Sequence, residues 1–292
     1  MKLGSPLISI VTPSYNQGEY INDTIKSVIS QNYKYIEYII MDGGSSDSTI
    51  NIIKKNEQKI TYWESIKDKG QADAINKGWM MAKGEILCYL NSDDYLAEDC
   101  LDIIVDNYNK NPKAKIFLGK CAAIDIQGNI KDVKDPYGYT YNSLLGGRSL
   151  GQPSVFIKRE IFQQIGPLNT KLHWCLDWAY FLKVLHHYNN RQEIVYINKI
   201  ISYSREYQGT KSTTGLKNKG DERRVVLLKN FKTWLKLSPP QKSRAFAATY
   251  IVQSLDQFKN GKFLQSIISL FRGLIISPKF FIYKVFHKNS AC

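Results

Sequence analysis

The chain has 292 residues, 43% hydrophobic and 12% aromatic, enough apolar material for one large packed domain or two small ones, which excludes a disordered chain as the starting expectation. The formal charge of +14 is unevenly spread: from Lys211 onward there are 16 Lys and Arg against 3 acids, whereas the first 210 residues hold 24 against 23. Such a basic block suits nucleic acid, an anionic membrane surface or a solvated face, while five cysteines with no C-x-x-C pair argue against structural zinc or a secreted disulfide scaffold.

At the N-terminus the apolar run Leu7 to Val11 is too short for a signal-peptide core, and nowhere do eighteen uncharged apolar residues follow one another. The expectation is a cytoplasmic chain without a spanning helix. "LISIVTPSYN" is β-branched and reads as a strand; "EYINDTIKSVISQN" then places Ile21, Ile25, Val28 and Ile29 at helical spacing. "IEYIIMDGGSSDST" is a second apolar run ending in acids and glycines, followed by the helical "STINIIKKNEQK". After "ITYWES" the segment "GQADAINKGWMMAKG" reads as a helix closed by Gly84, and "EILCYLNSDD" as a strand. This alternation predicts a parallel sheet with crossover helices. Further on, "IFLGKCAAIDIQGNIKD" reads as a hairpin turning at Gln127-Gly128-Asn129, "GQPSVFIKREIFQQIG" as a strand leading into a helix, and "HWCLDWAYFLKVLHHY" as an aromatic-rich helix. Beyond Thr210 come basic amphipathic helices broken at Pro239-Pro240, Gly261 and Pro278.

In a parallel sheet, ligands bind where the strands' carboxyl ends open into loops, and "TPSYNQGEY", "DGGSSDS" and "NSDDY" all follow strand runs. Adjacent carboxylates at Asp93 and Asp94 repel unless a cation lies against them, and a divalent metal bound mainly by phosphate oxygens needs one or two protein carboxylates. Asp42 at the end of "YIIMD" is placed to accept from a base N–H, with Thr12, Ser14 and Tyr15 beside it; as a lone acid before two glycines it would otherwise be a cap. Asp73 and Asn76, three apart on one helical face, stand as further nucleotide contacts against the plainer reading of a solvated face. Neither G-x-x-x-x-G-K-[ST] nor G-x-G-x-x-G occurs, so phosphates would be held by metal and side chains.

"ISIVTPSYNQGEYINDTIKSVISQNY", "EYIIMDGGSSDST", "KGQADAINKGWMMAKGEILCYLNSDDYL", "GQPSVFIKREIFQQIG" and "LDWAYFLKV" resemble, in order, the segments of family 2 glycosyltransferases, over about residues 7 to 213. The resemblance implies an α/β, GT-A type fold: a mainly parallel nucleotide-binding sheet flanked by helices, divided into a nucleotide-sugar part (1–100) and an acceptor and catalytic-base part (101–213); it does not cover the basic helical extension (214–292), which is read from charge and periodicity alone. It implies nucleotide contacts from Thr12, Pro13, Ser14, Tyr15 and Asp42, and metal binding, Mn2+ or Mg2+, at Asp93 and Asp94, one of them nearer the ribose. Many members carry aspartate where this chain has Asn91. Asp177 matches the catalytic base, whose bland alternative is an acid at a helix N-terminus. In "YSREYQGTKST" Tyr207 stands where the family has histidine, which leaves Arg205 and Lys211 as the contacts expected for an anionic group.

The implied reaction is inverting transfer from a nucleoside diphosphate sugar to a saccharide or lipid-linked saccharide. Gln152, Trp174 and Trp178 are expected to meet the acceptor, with Trp178 exposed, although an aromatic stripe at helical spacing is more often core. The basic tail fits either an anionic membrane surface, as a peripheral contact at the inner face, or a helical cap on the catalytic domain. A nucleotidyltransferase or a non-catalytic nucleic-acid-binding protein are the rival readings; the first lacks its glycine- and basic-rich N-terminal loop, the second gives no reason for acids at three strand ends, and no nucleic-acid partner is expected.

Overall fold

The computed structural model describes residues 4–210, 216–230, 237–259 and 261–286. The alternation read from the sequence forms as expected: β1 (Ile8–Ser14), α1 (Ile21–Ile29), β2 (Ile36–Asp42), α2 (Thr49–Asn56), β3 (Tyr62–Ser65), α3 (Gln71–Met81) and β4 (Ile86–Tyr89). There follow β5 (Tyr95–Leu96), α4 (Cys100–Lys110), β6 (Ile116–Ile124), β7 (Ile130–Lys134), α5 (Tyr141–Leu145), β8 (Val155–Lys158), α6 (Arg159–Ile165), α7 (Leu176–His187) and β9 (Ile194–Arg205). The basic region supplies α8 (Leu216–Asn230), α9 (Pro239–Lys259), α10 (Phe263–Ile276) and α11 (Pro278–Phe286).

Nine strands form one sheet in the order β3-β2-β1-β4-β8-β6-β9-β5, with β7 added on β6. β1 pairs in parallel with β2 and β4, and β2 with β3, because each is reached through a helical crossover. The second half is mixed: β8 is antiparallel to both β4 and β6, β6 and β7 make the expected hairpin, and β6 and β9 run parallel. β6, β8 and β9 continue the sheet beyond residue 100.

One sheet face packs Ile8, Ile10, Tyr38, Ile40, Ile86 and Cys88 against Ile21, Ile25 and Val28 of α1 and Leu101 and Ile104 of α4. On the other face α3 lies so near β1 that a Cβ on Gly78 would fall 2.4 Å from a Val11 methyl, and Trp79 meets Tyr89 and Phe162 edge-on.

Two compact units result. The first comprises Met1–Pro136, Leu150–His173 and His187–Glu206 and holds the whole sheet; the second comprises Tyr137–Ser149, Trp174–His186 and Tyr207–Cys292. Within the second unit, α9 and α10 form a helical hairpin turned at Gly261, whose φ of 70° is the left-handed conformation that ends a helix cheaply only with glycine. Among the described residues no helix is long and apolar enough to cross a membrane.

Candidate active site

In the first unit the three polar loops do share one edge. β1 and β2 are in register with Ser14 opposite Asp42, and β4 runs beside β1 with Tyr89 opposite Val11, so the chain leaves all three strands on one side. The first loop is fastened to the second: the Asn16 N–H donates to Ser45 Oγ (2.8 Å), that of Gln17 to Thr49 Oγ1 (2.9 Å) and that of Gly18 to Asp47 Oδ2 (2.9 Å). In return the Ser46 N–H donates to Asn16 Oδ1 at 2.9 Å. Asn16 takes a φ of 50°, a conformation asparagine tolerates better than most residues.

Asp42 is buried, and its carboxylate accepts from the N–H groups of Gly44 and Ser45 and the hydroxyls of Ser45 and Ser65, at 2.5–3.1 Å. It therefore folds the "DGGSS" turn as a cap would. Thr12 is also buried, its hydroxyl 3.2 Å from that of Tyr38 inside the sheet, and Pro13 is buried beside it. Ser14 differs: its Oγ is buried and has no partner among the described residues, while Tyr15 next to it stands 62% exposed. A buried hydroxyl without a partner at a strand end is a place where a ligand atom would complete the bonding.

The third loop is organised by Asn91. Gln71 at the start of α3 donates to its Oδ1 (2.6 Å), and its own amide donates to Asp94 Oδ2 (3.0 Å) and Gln152 Oε1 (3.4 Å). Gln152 in turn donates to the Tyr89 carbonyl at 2.7 Å, so it braces the end of β4 from below. Asp94 is only 5% exposed, and its hydrogen bonds come from neutral donors, the Asn91 amide and the Arg205 N–H at 3.1 Å. Burial, then the neighbouring Asp93 charge, pushes the Asp94 carboxyl well above the usual carboxylate range. Arg205 closes the turn: its guanidinium donates to the Asp93 carbonyl (3.2 Å) and to Asp23 (3.0 Å), and lies against the rings of Tyr20 and Tyr95.

Asp93 and Asp94 suit a hard divalent cation, because two carboxylates crowd together where desolvation favours whatever neutralises them. Among the described residues no three His, Cys, Asp or Glu side chains gather as a complete metal cage. The remaining oxygens would come from a bound phosphate and water.

The other expected residues fall differently. Asp73 sits on the first turn of α3, accepts from the Lys69 N–H at 3.1 Å and pairs with Lys77 at 3.4 Å. Asn76 is buried, and its amide exchanges two hydrogen bonds, 2.9 and 2.8 Å, with the backbone of Leu168. That is the bonding of a loop anchor. Lys211 lies outside the described residues.

In the second unit, Asp177 occupies the first turn of α7. Sequence reasoning missed what caps that turn: Glu222 of α8 accepts from the N–H groups of Trp174 (2.8 Å) and Cys175 (2.9 Å). No local signal announces a cap supplied from so far along the chain. The expected exposure of Trp178 is corrected: it is 4% exposed, its indole N–H donates to the Leu144 carbonyl (2.9 Å), and Arg223 lies 4.9 Å over its ring. Burial holds the Arg223 guanidinium below its ordinary range, with Cys175 and Asp177 acting in the opposite sense. Trp174 is half-buried.

The sequence matches the family described as Glycosyl transferase family 2 over residues 9–165, and the chain belongs to that family. An uncharacterized glycosyltransferase of Haemophilus influenzae is 32% identical over 207 residues, covering 70% of this chain and 80% of its own. A Bacillus subtilis protein named for teichuronic acid biosynthesis, TuaG, is 33% identical over 61% of this chain and 73% of its own. Among solved structures, S. aureus TarS with UDP-GlcNAc superposes with a TM-score of 0.67 at 17% identity, over 94% of this chain and 82% of that one. A Pyrobaculum calidifontis mannosyltransferase with GDP-Man and Mn2+ gives 0.59 at 16%, over 92% and 75%. The chain is thus a glycosyltransferase with the GT-A fold and a helical C-terminal region.

Proposed function

We propose that the chain is an inverting, divalent-metal-dependent glycosyltransferase that moves a sugar from a nucleoside diphosphate sugar to an acceptor hydroxyl in bacterial cell-surface polysaccharide or glycolipid synthesis, at the inner face of the membrane. The observation that supports it most is Asp94, a buried carboxylate beside a second acid, bonded by neutral donors. A chain accepts that cost where a cation is to be bound. Relatives named for teichuronic acid and structures holding UDP-GlcNAc, or GDP-Man with Mn2+, support the same reading.

In this reading Ser14 and Tyr15 meet the nucleotide, and Asp42 acts chiefly by holding the second loop in shape. Asp93 and Asp94 hold the metal, which when bound neutralises charge on the departing diphosphate. Arg205 fixes the turn that carries both acids. Asp177 takes the proton from the acceptor hydroxyl as that oxygen attacks the anomeric carbon on the face opposite the leaving group. No general acid is required, because a nucleoside diphosphate leaves more readily than the alcohol of a glycoside. Gln152 supports the metal turn through Asn91, and Trp174 remains the aromatic candidate for the acceptor.

The test is thermal stabilisation by UDP-GlcNAc and GDP-Man with and without Mn2+, followed by analysis of the released nucleotide. Metal-dependent stabilisation with slow release of free nucleoside diphosphate is expected. Release of pyrophosphate would replace the reading with nucleotidyl transfer.

A further inference from the structure

Helix α10 turns six of its nine large apolar side chains outward, with Leu270, Leu274 and Ile276 half-buried. Leu264 is 72% and Ile275 76% exposed, and Phe263, Ile267, Ile268 and Phe271 are exposed with them. The residues it buries are small: Ser266 at 4%, Ser269 at 2%, and Gly273. Ser266 donates to the Ser254 carbonyl of α9 (3.0 Å) and Ser269 to Gln257 (2.8 Å), while Gly273 lies against Phe281 and the Ala247 carbonyl. At ~100° per residue the six outward apolar positions span an arc of ~140°, and the three inward ones fall opposite. Phe258 of α9 extends the patch, its ring meeting that of Phe263 at 5.4 Å. A helix that uses hydroxyls and a glycine to pack on its neighbour, and keeps both phenylalanines and three of its four isoleucines outside, is built to cover that outer face with something else.

The charge around the patch selects what covers it. From Gln257 to the end the sequence has six Lys and Arg and no Asp or Glu; Arg272 is exposed ~40° beyond the edge of the apolar arc, and Lys262 at the N-cap of α10 and Lys279 in the first turn of α11 are exposed at its two ends. A second copy of the same face would bring like charges together, whereas an anionic lipid surface takes up both the apolar residues and the cations. At ~1.5 Å per residue the helix is ~21 Å long, shorter than a bilayer core of ~30 Å, so the geometry is that of a helix lying along the surface.

We propose that α10 lies flat in the headgroup region of an anionic bilayer, with Phe263, Leu264, Ile267, Phe271 and Ile275 inserted and Lys262, Arg272 and Lys279 against lipid phosphates. This rests on the reading that the chain works at an anionic leaflet and is independent of its sugar-transfer chemistry.

The experiment is sedimentation of the full chain with phosphatidylglycerol/phosphatidylcholine vesicles and with pure phosphatidylcholine vesicles, at low and high salt. Binding to the anionic vesicles, weakened by salt, is expected, with the double variant Phe271→Glu/Ile275→Glu binding about tenfold or more weakly and Phe271→Trp binding as the parent does. Unchanged circular dichroism and melting of both variants show that they fold. If the parent binds and the glutamate variant binds equally, the assignment to α10 fails while the leaflet reading stands. If the parent binds neither vesicle, the leaflet reading fails and this inference with it. Equal binding to neutral vesicles overturns the electrostatic half, and a concentration-dependent oligomer abolished by the glutamate variant, without vesicle binding, reassigns the face to self-association.

Discussion

At the scale of single residues, Asp94 ties stability to pH. Its carboxyl is raised by burial and by Asp93, so the folded chain holds a proton that the unfolded chain releases. The stability tied to that proton is full below the ordinary carboxylate range and is lost as pH rises through the raised folded value. Asp94→Asn should therefore flatten the decline of melting temperature that sets in as pH rises above the ordinary carboxylate range in metal-free melts, and should abolish Mn2+-dependent stabilisation by a donor sugar. Asp177→Asn should keep donor binding and lower transfer by about 10²–10⁴-fold, read as turnover against binding; transfer at the parent rate would remove Asp177 from the role of base. The adjacent acids were legible because two like charges after an apolar strand have few inert explanations. Asn91 was legible only as a departure from aspartate, and its use, donating to Asp94 and Gln152 at once, depends on neighbours that the fold brings in.

At the scale of elements, β1 to β4 were legible because each alternates cleanly with an amphipathic helix. β9 was not read as a strand although it is 12 residues long. Its register against β6 jumps from Ile197 to Ile200, so Asn198 and Lys199 bulge out and interrupt the period of two that a strand would show. The coupling of the first two loops was equally hidden, because serine, asparagine and aspartate are ordinary turn residues until their partners are known. Ser45 makes that coupling, donating to Asp42 and accepting from the Asn16 N–H. Ser45→Ala should cost about 1–3 kcal/mol for the groups left unpaired in chemical denaturation, and should weaken nucleotide binding by loosening both loops together.

At the scale of the whole molecule, the basic C-terminal region reads in sequence as an appended piece, yet it belongs to a unit that also takes Tyr137–Ser149 and Trp174–His186. Within that unit Glu222 caps α7 and Arg223 covers Trp178. A chain cut after Glu206 should leave Trp178 without Arg223 and α5 without α9 beside it, with a lowered melting temperature, dye binding typical of loose packing and no transfer activity. By itself the sequence determined the strand and helix alternation, the edge where three polar loops open and the family, because these follow from local periodicity and contiguous motifs. Only the tertiary structure decided that the Thr12 hydroxyl lies against that of Tyr38, that the Asn76 amide bonds the Leu168 backbone, that Trp178 is buried, and that α10 faces outward with much of its apolar side. Each of those depends on which distant segment lies against a side chain, and periodicity along the chain carries no record of that.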